Sequence, residues 1–188
     1  MTASDATPSA RQLELLEAAY SYVLEHGLAD LSLRPLAAAI GSSPRVLLFL
    51  FGSKDGLVRA LLARARTDEV ALLGRLDDPG DLASAGGQVW SWLSAPEHRP
   101  LLRLWAEAYA RSLVEPDGAW AGFAAATVRD WLAVLAAHQP ETERDTDAGL
   151  VHRTAVLAVL RGGLLDLLAT DDEPRVTAAV HATLNREL

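Results

Sequence analysis

The side chains best placed to do chemistry lie between residues 32 and 57. Gly41 separates two short helical segments there, and the second reads Arg45-Val46-Leu47-Leu48-Phe49-Leu50-Phe51 before Gly52 closes it. Two short helices around a glycine turn outline a helix-turn-helix, a unit that lays its second helix in the DNA major groove. Val46 to Phe51 is an unbroken apolar run, so this helix has no polar face for base edges. If Leu47 and Phe51 (i, i+4) face inward, steps of about 100° turn Val46, Leu48 and Phe49 outward, with Arg45 as the main outward polar group. Outward apolar groups can contact thymine methyls, and arginine can donate to guanine or phosphate. An exposed apolar patch equally marks a protein contact, so the alternative is a degenerate helix-turn-helix whose apolar second helix meets another protein.

Elsewhere the residue types exclude more than they offer. The chain has no cysteine, which removes disulfides, zinc-thiolate sites and thiol nucleophiles and fits a reducing compartment. His26, His98, His138, His152 and His181 are scattered, without the helical spacing of a metal site apart from capping groups. No phosphate loop or nucleophile elbow is present, and the acid pairs Asp77-Asp78 and Asp171-Asp172 sit at helix breaks. The expectation is a protein that is not an enzyme, with no catalytic residues, no metal and no cofactor.

All five tryptophans fall between residues 90 and 131, with Tyr109 and Phe123 among them. Trp105 and Tyr109 share a helix face, as i, i+4 pairs do. Such aromatics usually form core, but with a few polar groups they also line small-molecule pockets. The predicted ligand-binding set is Trp90, Trp105, Tyr109, Phe123, Trp131 and Arg161, with Glu107, Arg111 and His152 as further polar candidates. Their apolar character predicts a small hydrophobic effector.

The elements that must position these groups are all helical. Ser9 and Gln12 form a capping-box pattern before Leu13, Leu16, Ala19, Tyr20, Val23 and Leu24, and Gly27 ends that helix. Ser32 opens a second helix over 33–40, and Ser43 with Pro44 opens the third. Ser53 opens a fourth, from 54 to about 76, carrying Leu57, Leu61, Leu62, Ala65, Val70 and Leu73. Beyond the breaker at 77–81, helices follow over about 82–94, 97–115, 119–138 and 148–169, and a ninth runs from about 174 to the C-terminus. The acidic stretch 139–147 reads as loop. Gly162-Gly163 in the eighth helix cost roughly 1 kcal/mol each relative to alanine, which predicts close packing there. Val151, Ala155, Ala158, Leu165, Val176, Val180 and Leu184 give the eighth and ninth helices more apolar surface than one subunit covers. A homodimer through those two helices is expected; otherwise both complete the monomer core.

The net charge of −8 argues against a general nucleic-acid coat. Residues 1–66, however, carry seven Arg and Lys against six Asp and Glu, and the remainder ten against nineteen. Acid is therefore concentrated away from the end that would approach DNA. The N-terminus lacks a secretory signal, and every long apolar stretch is interrupted by charge or glycine, so a cytoplasmic protein without membrane contact is expected.

Ala18-Ala19-Tyr20, Gly27-Leu28, Ser32-Leu33-Arg34, Leu36-Ala37, Ile40-Gly41, Ser43, Leu47, Phe51, Ser53-Lys54 and Leu57 form a spaced set that resembles the TetR family of bacterial transcriptional regulators. Leu160 to Thr170 is also similar to the penultimate helix of many such proteins. The resemblance implies an all-α protein. Its helix-turn-helix DNA-binding domain would occupy 9–52, and helix four would join it to a ligand-binding and dimerisation bundle at 53–188. It implies a dimeric regulator, a repressor released from operator DNA by its effector. Ser32, Arg34 and Lys54 match phosphate-contacting positions, and with Ser43, Arg45, Val46, Leu48 and Phe49 they make the expected DNA-binding set. The chain departs from the family where it has Val46, Leu48, Phe49 and Leu50 for a small polar residue, two tyrosines and a histidine. Gly52 replaces a lysine, and Gly56 a glutamate.

Overall fold

The computed structural model describes residues 8–28, 30–73, 80–115 and 117–187. The first helix, α1 (Ala10–His26), starts where Ser9 Oγ accepts the Gln12 N–H at 3.2 Å and stops at Gly27, whose φ of 79° few other residues tolerate. Its core face is Leu15, Ala19, Tyr20 and Val23. Leu13, predicted inside, is exposed, since the buried face of α1 runs through Leu15, Ala19, Tyr20 and Val23. Gln12 does not close the predicted capping box. Its side-chain amide donates to Leu50 O at 3.1 Å and so pins α1 to the end of the third helix.

α2 (Leu33–Ala39) and α3 (Pro44–Phe51) meet at 102° across a short turn in which Gly41 has φ 64°. Ser43 Oγ caps α3 by accepting from Val46 N, and Leu47 anchors it in the core at 1% exposure. α4 (Lys54–Leu73) begins with Ser53 Oγ accepting from Gly56 N at 2.9 Å. Leu57, Leu61, Leu62 and Ala65 are buried as predicted, whereas Val70 is exposed. The predicted extension to Leu76 and the breaker at 77–79 lie outside the described residues.

The bundle comprises α5 (Leu82–Ser94), α6 (Arg99–Val114), α7 (Phe123–Ala137), α8 (Glu141–Arg144), α9 (Asp147–Thr170) and α10 (Glu173–Glu187). Short 3-10 turns at Pro96–His98 and Gly118–Trp120 precede α6 and α7. α5, α9 and α10 pack together, while α6 and α7 close against α9 and α4. The eighth and ninth predicted helices are thus α9 and α10. Among the described residues no strand occurs, so the fold is all-α, an N-terminal helix-turn-helix unit followed by a helical bundle.

The loop expected at 139–147 contains α8 because its polar groups have partners inside the fold. Arg144 donates to Ala136 O (2.9 Å) and Gln139 O (3.2 Å), satisfying carbonyls at the end of α7. Gln139 is buried and bridges Gly149 O and Arg153. Val176, Val180 and Leu184 of α10 are 2–3% exposed, so they complete the monomer core and are not part of an open face. Val151, Ala155, Ala158 and Leu165 of α9 do face outward. The most apolar window of α9 has a mean hydropathy of 1.3 with only 28% of it buried.

The two glycines of α9 separate in role. A Cβ on Gly163 would lie 2.7 Å from Val180 Cγ2 and 2.9 Å from Trp90 Cζ3, whereas one on Gly162 would meet nothing within 4 Å. Gly163→Ala is therefore expected to lower unfolding free energy by about 1–3 kcal/mol through overpacking against Trp90. Urea denaturation monitored by circular dichroism checks this, and an unchanged midpoint would show that α10 yields freely.

Candidate nucleic-acid interface and effector cavity

The expected recognition helix presents what its periodicity predicts. Phe49 is 86% exposed, Leu48 41% and Val46 38%, with Arg45 also exposed, while Leu47 is buried and Phe51 half-buried. On the neighbouring segments Ser32, Arg34 and Lys54 are all exposed. Among the described residues Arg34, Arg45 and Lys54 make no ion pair and their side chains no hydrogen bond. Ser32 occupies the N-cap of α2 without making a side-chain cap bond, so its hydroxyl remains available. Arg64 is cationic but committed. It donates to Glu17 at 2.6 Å, pairs with Asp68 and lies 4.9 Å over the Tyr20 ring. Its pKa is raised first by the Glu17 hydrogen bond, and that of Tyr20 is raised first by burial.

Two serines at equivalent helix starts thus differ in what they do. Ser43→Ala removes a cap bond and is expected to cost about 1 kcal/mol, whereas Ser32→Ala should stay within about 0.5 kcal/mol of the parent. Thermal melts of the two variants give the comparison, and equal losses would mean that Ser32 caps α2 after all.

The departure at Gly56 has a steric cause. A Cβ there would fall well inside contact distance of the Phe51 carbonyl oxygen, so the tight turn from α3 into α4 admits no side chain.

The structure divides the predicted ligand residues. Trp90 is fully buried between α5, α9 and α10, with Nε1 donating to Thr177 Oγ1 at 2.8 Å. Trp131 is buried on α7 and lies outside the aromatic crevice. Trp105, Tyr109 and Arg161 do gather. The two rings are 4.9 Å apart, Arg161 Nη1 donates to Tyr109 Oη at 3.2 Å, and its guanidinium lies 5.1 Å from the Tyr109 ring centre. Trp105 and Phe123 border an apolar crevice with Trp92, Leu101, Leu102 and Ala65. Its volume is about 10 Å³, the room one water molecule takes. The Trp92 and Trp105 indole N–H groups are both buried without acceptors. Trp92, absent from the predicted set, was identifiable only as a tryptophan among others, because its stacking on His98 at 4.2 Å depends on the turn before α6.

The other polar candidates have different roles. Arg111 pairs with Glu115, and His152 is exposed on α9. Glu107 leaves the aromatic cluster altogether. Its Oε2 accepts the Leu28 backbone N–H at 2.9 Å, linking α6 to the segment that follows α1.

An exposed, partner-free basic and hydroxyl set framing a short helix that crosses its predecessor near a right angle defines a helix-turn-helix protein with an appended helical bundle. Residues 15–61 match the family model of bacterial regulatory proteins, tetR family. Whole-length likeness extends to solved structures. The multidrug-binding protein EbrR with proflavin is 25% identical, covering 95% of this chain and 99% of its own at a TM-score of 0.70. EbrR with ethidium is 26% identical, covering 95% and 98% at 0.72. A transcriptional regulator from Rhodococcus sp. Rha1 shares the fold at 20% identity and a TM-score of 0.76, covering 93% and 94%. Among curated protein sequences none matches. The N-terminal unit is thus similar to that of bacterial regulatory proteins of the tetR family, and the whole chain shares the fold of solved transcriptional regulators.

Proposed function

We propose that the protein is a dimeric repressor whose N-terminal helices, residues 9–52, bind operator DNA and whose bundle, residues 53–188, dimerises and binds a small apolar effector. The observation that carries this reading is the free polar set around α3. Arg34, Lys54 and the Ser32 hydroxyl would hold phosphates, as cations and free donors at helix starts do. Ser43 would add its hydroxyl proton, since its oxygen already accepts from Val46 N. Arg45 would reach a guanine or phosphate, and Val46, Leu48 and Phe49 would read thymine methyls. In a gel shift with DNA upstream of its own gene, repeated across a salt series, Arg34→Ala and Lys54→Ala should each reduce the logarithmic salt slope by about one. A folded dimer that binds no site in a salt-dependent way would sink the repressor reading.

The 86% exposure of Phe49 favours a second reading, in which α3 docks on another protein. Phe49→Ser separates the two. Loss of operator affinity with the salt slope intact supports DNA readout, whereas intact DNA binding with loss of a protein complex supports the alternative.

Dimerisation is proposed through α9 and α10. Val151, Ala155, Ala158, Gly162 and Leu165 are spaced 4-3-4-3 and all exposed, a heptad-like seam whose small residues permit close approach. Ala178 and Ala182 continue the exposed small surface on α10. Arg153, Arg161 and Asp166 interrupt α9, which suits a protein partner better than lipid. Gly162→Glu should convert the dimer to a folded monomer in sedimentation equilibrium, because the site is open within one subunit. A dimer that survives this change must use another face.

The effector site is proposed at the Trp92, Trp105 and Phe123 crevice, opened by ligand entry. Its two unpaired indole N–H groups would meet an acceptor on the ligand. Arg161 beneath Trp105 and Tyr109 favours a neutral or anionic ligand over the cationic dyes seen in EbrR. α6 would carry the signal, since Trp105 and Glu107 lie about 200° apart on it. Displacing Trp105 would draw on the Glu107 bond to Leu28 and move the DNA-binding unit.

A further inference from the structure

We propose that a second cavity, between α4 and the start of α7, binds a small amphipathic anion, with an acidic head and a short apolar body. The cavity holds about 390 Å³ and is rimmed by Arg59, Arg66 and Arg129. No acidic side chain lines it. In a chain of net charge −8, a concavity bordered by three arginines, two of them without an ion pair among the described residues, suits an anionic occupant.

The three are not equivalent. Arg66 is held by Asp130, its Nε and Nη2 reaching Oδ2 at 3.0 and 2.5 Å. Arg59 and Arg129 are exposed and, among the described residues, form no ion pair and no side-chain hydrogen bond. Arg59 on α4 and Arg129 on α7 border the same cavity, and guanidinium forks pair with the oxygens of a carboxylate or phosphate. Between them the wall is apolar, with Leu62, Phe123 and Ala126.

The backbone adds to the same polarity. α7 starts after Gly122, which has φ 73° and provides no side-chain cap, and a Cβ there would meet nothing within 4 Å. Ser112 Oγ accepts the Ala124 N–H at 3.1 Å, but the Phe123 and Ala125 N–H groups find no acceptor among the described residues. The positive end of a fifteen-residue helix therefore opens beside the arginines. Phe123 borders both this cavity and the aromatic crevice, so the two sites share one wall. The assignment does not depend on DNA binding or on an effector at the crevice.

Titration calorimetry of the full chain with phenylbutyrate tests it, with the uncharged phenylbutyramide as control. The anion should bind at least tenfold more tightly than the amide, and Arg59→Ala with Arg129→Ala should weaken it at least tenfold. Neither arginine holds another group, so the melting temperature of the double variant should match the parent. Equal binding of acid and amide, or unchanged affinity in the double variant, would overturn the site. So would anion binding lost in Arg161→Gln but kept in the double variant, which would move the anion to the aromatic crevice.

Discussion

One carboxylate ties the segment after α1 directly to the bundle. Glu107 projects from α6 to the Leu28 N–H, and the approach is close enough that a Cβ on Gly27 would come within 3.3 Å of its Oε2. Glycine at 27 therefore answers two constraints, a positive φ that ends α1 and space for a side chain arriving from another part of the fold. The other oxygen, Oε1, is buried without a partner, so the bond sits where an unmet acceptor costs free energy. Leu28, Leu31 and Leu104 are nearly fully buried in the same core. A polar bond beside apolar packing fixes direction as well as distance, which the packing alone does not.

The fold uses single helices for two purposes at once. α4 caps itself on Ser53, pairs with α1 through Arg64 and Glu17, and reaches α7 through Arg66 and Asp130. α6 meets the N-terminal unit through Glu107 and the aromatic cluster through Trp105 and Tyr109. Neither helix can shift without straining contacts in both directions. That is the physical requirement for two distant sites to influence each other, since coupling needs an element whose position both sites bias.

What the sequence made legible follows from the range of the interactions. Helix ends were readable because caps and glycine stops are local: Ser9, Ser43 and Ser53 each accept the N–H three residues on. Periodicity also placed Leu47 inside and Phe49 outside correctly. It could not tell what covers an apolar face. Leu13 lies largely outside, while Val176, Val180 and Leu184 lie inside because α9 and α5 pack on α10. Trp90 and Trp105 look alike in sequence, but the first has Thr177 for its N–H and the second has no acceptor. The cavity of Arg59, Arg66 and Arg129 joins residues up to seventy positions apart, and no spacing rule would collect them.

The apolar filling of α3 is the point where local and long-range demands meet. Leu47 and Phe51 must pack inward to hold α3 on its neighbours, and Phe51 also sets its carbonyl against Gly56 in the turn to α4. Those constraints explain two of the apolar residues and the missing side chain at 56. They do not reach Phe49, which at 86% exposure gains little from the fold of a single subunit, while Val46 and Leu48 are partly covered at 38% and 41%. A polar residue would be about as stable at 49, because exposed apolar surface offers no burial energy. The fold therefore does not account for the aromatic ring at 49. Arg45 is exposed on the same helix, and Arg34 and Lys54 on the flanking helices are exposed without an ion pair among the described residues, so the α2–α4 segment combines one open aromatic ring with three uncommitted cations.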